Sequence, residues 1–236
     1  MWKILDTGQR SAQENMEIDA ELLENLDPLG PPILHFYEWE GECATYGHFL
    51  KPEDFLNLKA AKERGVSLAR RPTGGGIIFH VSDLAFSILV PSGHPHYSLN
   101  TLGNYNFINS HVKKGVKNFL DKGGDLTLLP EEPLPKDSHC QSFCMAKPTR
   151  YDVMLGGLKI AGAAQRRRKQ GYLHQGSISI ALPKEDFLDA LLLPGTQVKE
   201  AMKSQTFSLL GKDWTTKELE KVRSQLKKEL EKELSQ

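Results

Sequence analysis

Apolar residues recur at intervals of three or four in three long stretches of this chain, and they cluster into short runs in between. The first stretch carries Ala12, Met16, Ala20, Leu23 and Leu26 at helical spacing. Ser11 stands where an N-cap hydroxyl belongs, and Glu14, three residues on, completes a capping box. The pattern predicts a helix over residues 12–26, closed by Pro28, Pro31 and Pro32. A second helix is predicted over residues 101–120, with Tyr105, Ile108, Val112, Val116 and Phe119 on one face and Gly123-Gly124 as its stop. A third covers residues 215–234, where Leu219, Val222, Leu226, Leu230 and Leu234 form an apolar stripe opposite a solvated face of Lys and Glu. Shorter helices are predicted over residues 52–65, opened by Pro52 and stopped by Gly65, and over residues 183–192.

The short apolar runs read as strands over residues 2–5, 33–37, 43–46, 66–69, 77–79, 84–90 and 126–129. Ser87 gives the 84–90 run partial alternation, which predicts one covered face. Residues 130–141 hold three prolines and mixed charge and predict an irregular loop. Gly156-Gly157 predicts a tight hairpin between residues 151–155 and 158–161. A second pairing runs from residues 164–168 through Lys169-Gln170-Gly171 into residues 172–181. This order of elements predicts an α+β (mixed α/β) fold of largely antiparallel mixed sheets flanked by helices.

Composition narrows the partners. At 39% hydrophobic and 25% charged residues, the chain can bury a core. Its 30 basic side chains balance 30 acidic ones, which argues against a nucleic-acid partner. No apolar run is long enough to span a membrane, and the N-terminus has no signal-peptide block. Three cysteines, an odd number, point to reduced thiols and a cytoplasmic setting.

Two regions can carry chemistry. The first is Arg70-Arg71-Pro72-Thr73-Gly74-Gly75-Gly76, leading to His80. Three glycines strip side chains from the backbone beside a ligand, and the arginines bring fixed positive charge. A glycine-rich turn with solvated arginines reads equally well from these residues alone. The second region runs from Cys144 to Arg167. Lys159 follows the tight hairpin with apolar residues on both sides, so it is either a snorkelling surface lysine or a site residue with an anionic partner. Gly162, Ala163 and Ala164 are small enough for a ligand to lie against them. Cys144 is either a buried structural thiol or a nucleophile suited to passing an acyl group to an amine. Cys140 and His139 beside it do not complete a metal site.

Taken together, the glycine stretch with His80, Lys159-Ile160-Ala161-Gly162-Ala163-Ala164-Gln165 and His174-Gln175-Gly176-Ser177-Ile178 resemble the lipoate-protein ligase A/octanoyltransferase family. This family belongs to the superfamily of biotin-protein ligases. Asn15-Met16, Asp19 and Leu22-Leu23 resemble its first helix, and the likeness spans roughly residues 2–195. The resemblance implies a mixed sheet with flanking helices, an octanoyl or lipoyl chain beside the glycines, and an acceptor lysine on a lipoyl domain. That domain would belong to a 2-oxo-acid dehydrogenase subunit or a glycine-cleavage H protein. It makes Lys159 the family's essential lysine. It also assigns Arg70, Arg71, Thr73, Gly74, Gly75, Gly76, His80, Gly162, Ala163, Ala164, Gln165 and His174 to the acyl and substrate walls. Residues 1–195 are expected to form the catalytic domain, and residues 196–236 a helical extension without a separate accessory domain.

Within the family, Cys144 stands fifteen residues before Lys159, where the cysteine-dependent octanoyltransferases place their nucleophile. That branch takes octanoyl from acyl carrier protein and needs no cofactor. The third glycine, Gly76, resembles instead the ligases, which use free lipoate with ATP and Mg²⁺ and form an acyl-adenylate. Val81-Ser82-Asp83-Leu84 departs from the acidic residue and glycine that ligases show there. A third reading is a relative that binds lipoyl groups without turnover.

Overall fold

The computed structural model describes residues 1–120, 124–211 and 213–235. Ten strands and six helices follow in the order β1 (Lys3–Arg10), α1 (Ala12–Glu24), β2 (Ile33–Trp39), β3 (Cys43–Tyr46), α2 (Leu58–Arg64), β4 (Ser67–Arg70), β5 (Ile78–His80), β6 (Asp83–Pro91), α3 (Thr101–Phe119), β7 (Leu126–Leu128), β8 (Val153–Leu155), β9 (Leu158–Arg167), β10 (Gly171–Ser179), α4 (Glu185–Leu191), α5 (Val198–Gln205) and α6 (Thr216–Leu234). A seven-stranded sheet runs β1-β2-β6-β10-β9-β8-β7, and a three-stranded sheet runs β4-β3-β5. The β1–β2 and β3–β4 pairs are parallel, and the rest are antiparallel.

Side-chain parity on the central strands decides where the site lies. Tyr172 and Ile178 of β10 and Leu84, Phe86, Ile88 and Val90 of β6 join a core with Ile108 and Val112 of α3 and Leu226 and Leu230 of α6. The alternate residues face the other way. There Leu173 and Leu89 pack on Leu23 of α1, and the small sheet covers the remainder. β6 is therefore buried along all nine residues, where one covered face was predicted. Its second face is closed because α1 and the small sheet lie over it, and Ser87 is satisfied there by hydrogen bonding.

Other differences from the predicted elements have local causes. The predicted runs 158–161 and 164–168 merge into one continuous strand that ends at Arg167, because Gly162 and Ala163 stay in the sheet opposite Ser177 and Gly176. Residues 52–65 split into a 3₁₀ turn at Pro52–Asp54 and α2, since the Asn57 side chain caps a fresh start. β1 runs to Arg10, beyond the predicted residue 5. α5 has no counterpart among the predicted helices. α3 ends at Phe119 with Leu120 as its cap, and the Gly123 of the predicted stop lies outside the described residues. The loop before Cys144 is irregular apart from a 3₁₀ turn at Cys140–Ser142.

The terminal helix is part of the main core. Leu219, Val222, Leu226, Leu230 and Leu234 are all buried in it. Its polar face is not wholly solvated either: Arg223 Nε donates to the Asp83 carbonyl (2.7 Å), and Lys227 pairs with Asp6 and Glu38. Leu226→Ala is expected to cost about 2–5 kcal/mol, because the helix cannot collapse into the void while both ends stay anchored. Denaturant unfolding would measure this as a lower midpoint with an unchanged slope.

Candidate active site

A strand irregularity aims Lys159 inward. Met154 pairs with Lys159, but Val153 pairs with Ala161, so β9 carries one extra residue at Ile160. Ile160 and Ala161 both turn into the main core, which leaves Lys159 and Gly162 on the opposite face. Lys159 is 3% exposed. Its Nζ donates to Asp152 Oδ2 and to the Cys144 carbonyl, each at 2.7 Å. The snorkelling alternative is thereby ruled out, and the anionic partner is Asp152.

Asp152 is fixed in turn. Its Oδ2 accepts from the Thr149 N–H (2.6 Å) and hydroxyl (3.1 Å). Burial pushes its carboxyl above the ordinary value, and the Lys159 ammonium and Thr149 donors offset only part of that. The preceding residue, Tyr151, is left-handed at φ 69°. Hydrogen bonds at its N–H (to Leu129 O) and its carbonyl (from Asn109 Nδ2) hold it there. A Cβ on Gly162 would lie 2.5 Å from Lys159 Cε and 2.7 Å from Asp152 Oδ1, so this glycine is the space the ion pair occupies.

Cys144 reaches the same place on a loop paired with the end of the glycine stretch. Ile77 N–H donates to the Ser142 carbonyl (2.6 Å), and Cys144 N–H donates to the Ile77 carbonyl (2.9 Å). A Cβ on Gly76 would stand 2.4 Å from the Ser142 oxygen. Phe143 anchors the loop against Phe79 in the second core. The Cys144 thiol is half-buried, with Arg71 Nη2 3.9 Å from Sγ.

The two loops and the two sheets enclose a cavity of about 230 Å³. Cys144, Lys159, Gly162, Ala163 and Ala164 line it on one side, and Arg71, Gly75, Gly76 and His80 on the other. Several wall residues are polar, but their polar atoms are committed. Arg71 donates to Thr45 O and Oγ1 through Nη1, and to the Gly74 and Gly76 carbonyls through Nη2. Its fork thus clamps the glycine stretch. His80 stacks on Trp39 and sits 2.8 Å from both Thr45 Oγ1 and Asp83 Oδ2. Burial would raise the Asp83 carboxyl, but His80, Ser177 and Arg223 outweigh it and hold it below the ordinary value. Thr73 Oγ1 donates to Gln175 Oε1, and Gln175 Nε2 donates to Asp19, which also faces His35. A wall of polar residues with satisfied hydrogen bonds accepts an alkyl chain without stranding a donor.

Not every expected wall residue is there. His174 and Gln165 lie on the other face of the sheet, beneath α3, where Gln165 Nε2 meets His174 Nδ1 at 2.9 Å and Tyr105 packs on the imidazole. Burial pushes His174 down to about 3. Strand alternation explains this: within His174-Gln175 only the glutamine can face the cavity, and it does. Arg70 points outward, with its guanidinium over the Tyr46 ring. Thr73 and Gly74 support the wall from behind. Sequence reasoning missed Asp152, Thr149, Thr45, Gln175 and Ser177. For Asp152 a signal existed, because a lysine bracketed by apolar residues needs a carboxylate and this one opens the same hairpin.

Comparison with known proteins follows the same lines. The model of the lipoyl protein ligase A/B catalytic domain matches residues 11–225. The octanoyltransferase LipM of Lysinibacillus sphaericus is 30% identical over 204 residues, covering 86% of this chain and 74% of that protein. The octanoyltransferase LipM of Bacillus subtilis is 30% identical over 203 residues, covering 85% and 73%. Among solved structures, one from a structural analysis of an archaeal lipoylation system, a bi-partite lipoate protein ligase and its E2 lipoyl domain from Thermoplasma acidophilum, shares the fold. The TM-score is 0.70 at 21% identity, over 100% of this chain and 84% of that one. The matched region runs from the first helix through both loops of the cavity into the terminal helix, and the chain belongs to the lipoyl protein ligase A/B catalytic domain family.

Proposed function

We propose that this protein moves an octanoyl group from acyl carrier protein to the acceptor lysine of a lipoyl domain, with Cys144 as nucleophile. The observation that carries this reading is the joining of Cys144 and Lys159 in one cavity, with the Lys159 ammonium on the Cys144 carbonyl. In the first step the Cys144 thiolate attacks the donor thioester carbonyl. The tetrahedral intermediate collapses to a Cys144 thioester, and the carrier thiolate leaves and takes up a proton. In the second step the neutral amine of the acceptor lysine attacks that thioester. An amide forms, Cys144 departs as thiolate, and the amine loses its proton.

Lys159 has three N–H donors, and two are used by Asp152 and the Cys144 carbonyl. The third serves the acyl carbonyl oxygen as negative charge develops on it. Seven buried carbons of the octanoyl tail contribute on the order of 5 kcal/mol of binding at about 0.8 kcal/mol each. The tail therefore supplies affinity, and the head group supplies the chemistry. No cofactor takes part. A reduced, cytoplasmic setting keeps Cys144 as a thiol. Residues 1–195 hold the reacting groups, and residues 196–236 act as the extension packed on them.

The ligase reading rests on Gly76. The missing Cβ there is matched by the Ser142 carbonyl of the Cys144 loop, so this glycine is accounted for without an adenylate. The test is intact mass after mixing with octanoyl-acyl carrier protein. A hydroxylamine-labile octanoyl adduct on the Cys144 peptide, passed on to a lipoyl domain without ATP, is expected. Modification only with lipoate, ATP and Mg²⁺ would replace the transferase by the ligase. Binding without any transfer would leave a lipoyl-binding relative.

A further inference from the structure

Among the described residues, Tyr151 is the one residue other than glycine with a positive φ, at 69°. A side chain crowds its own backbone there, so glycine is usual and a bulky residue is an outlier. Tyr151 stands directly before Asp152, the partner of Lys159. The Asp152 N–H donates to the Thr149 carbonyl (3.0 Å) and closes the turn that contains Tyr151. The conformation of this outlier therefore sets the direction in which the Asp152 side chain leaves the backbone.

All four backbone groups of Tyr151 and Asp152 are hydrogen-bonded. The Tyr151 N–H donates to the Leu129 carbonyl (2.8 Å), the Asp152 N–H donates to Thr149, and the Asp152 carbonyl accepts from the Leu129 N–H (2.9 Å). These three partners are backbone, in the turn itself and in the residue after β7. The fourth bond is different: the Tyr151 carbonyl accepts from Asn109 Nδ2 (2.9 Å), a side chain of α3. Asn109 is buried, and Ile108 and Val112 beside it on α3 belong to the main core. Asn109 thus ties the turn to a helix that the core holds in place.

Resting on the reading of Lys159 as donor to the acyl carbonyl, we propose that Asn109 is a positioning residue. By holding Tyr151 in its left-handed conformation, it fixes where Asp152 stands, and through Asp152 the Lys159 ammonium. Lys159 cannot set its own place, because its ammonium ends a long flexible stem. Its position is defined by contacts of 2.7 Å to Asp152 Oδ2 and to the Cys144 carbonyl. Asp152 Oδ2 must meet Lys159 and the Thr149 donors together, which leaves it one orientation. Without Asn109 the Tyr151 carbonyl loses its donor, and the turn relaxes toward the negative φ that a tyrosine prefers. The Tyr151–Asp152 peptide then rotates and carries the carboxylate off that orientation.

The test is Asn109→Ala, made alone and together with Tyr151→Gly or Tyr151→Ala. Glycine takes a positive φ without crowding, whereas alanine keeps a Cβ there. Alone, Asn109→Ala is expected to slow Cys144 acylation at saturating octanoyl-acyl carrier protein by about ten- to a hundredfold, with KM for the donor changed by less than about twofold. Tyr151→Gly should shrink the loss caused by Asn109→Ala to about threefold, and Tyr151→Ala should leave it whole. A second readout does not depend on transfer. In protein with isotope-labelled lysine, the nuclear magnetic resonance signal of Lys159 Nζ, assigned by its loss in Lys159→Met, should shift in Asn109→Ala and return when Tyr151→Gly is added. Asn109→Ser, whose hydroxyl is too short to reach the carbonyl, replaces Asn109→Ala if that variant does not fold. A native rate or a native Lys159 signal in the Asn109 variant would overturn the proposal. So would losses that Tyr151→Gly does not reduce, which would make Asn109 a structural residue only. A native protein that the donor does not acylate would instead refute the transferase reading, and the Lys159 signal would then still judge Asn109.

Discussion

Lys159→Met is expected to slow octanoyl transfer by about a hundred- to a thousandfold and to cost about 3–5 kcal/mol of stability. The two losses have separate origins. Transfer falls because the carbonyl oxygen loses its ammonium donor. Stability falls because Asp152, 2% exposed, is left as a buried carboxylate with only the two Thr149 hydrogen bonds. The sign of the pH dependence follows. Burial already raises the Asp152 carboxyl, and removing the cation raises it further. A group whose folded value lies above its unfolded one adds stability below the unfolded value and loses it as pH rises through the folded value. The stability deficit of Lys159→Met should therefore be largest at neutral pH and shrink as pH falls toward the ordinary carboxylate range. The double variant Asp152→Asn/Lys159→Met removes both charges and should recover most of the lost stability but none of the transfer. Denaturant unfolding against pH, beside single-turnover acylation, separates the effects. A double variant as unstable as the single one would show that Asp152 is not the source.

Long helices were legible because their signal is repeated. α1 shows both its capping box and its apolar spacing, and α3 and α6 each run through five turns. α5 was not legible, since Val198, Ala201 and Met202 span little more than one turn and no side chain caps it. The site was legible as a set of residues and not as a geometry. Cys144, Lys159, Gly75, Gly76 and Gly162 meet in one cavity, while His174 and Gln165 fall behind the sheet. Alternation tells which residues share a face but not which face is the site. The extra residue at Ile160 then resets the parity midway along β9. Neither a bulge nor the Thr45–His80–Asp83 chain leaves a mark that composition or spacing can show, because each depends on which strands become neighbours.

Gly76→Ala is expected to lower the rate of Cys144 acylation about a hundredfold, since a displacement near 1 Å in a reacting group has that order of effect. The new methyl would sit 2.4 Å from the Ser142 oxygen and 2.6 Å from its carbonyl carbon. Both are backbone atoms two residues from the nucleophile, so the loop itself must move. Moving it stretches the Ile77–Ser142 and Cys144–Ile77 hydrogen bonds together, at a cost of about 1–3 kcal/mol for overpacking. Gly74→Ala supplies the contrast. Nothing lies within 4 Å of its Cβ, and its backbone is not left-handed, so the methyl fits. If the glycines serve to seat the Cys144 loop, the loss at Gly76 should greatly exceed the loss at Gly74. If they cradle an adenylate, Gly74, with open space beside it, should be at least as sensitive and the losses should appear only with ATP present. Acylation rates of the two variants with octanoyl-acyl carrier protein, read by mass, decide between these orders. Equal losses at both positions would return the third glycine to the ligase reading.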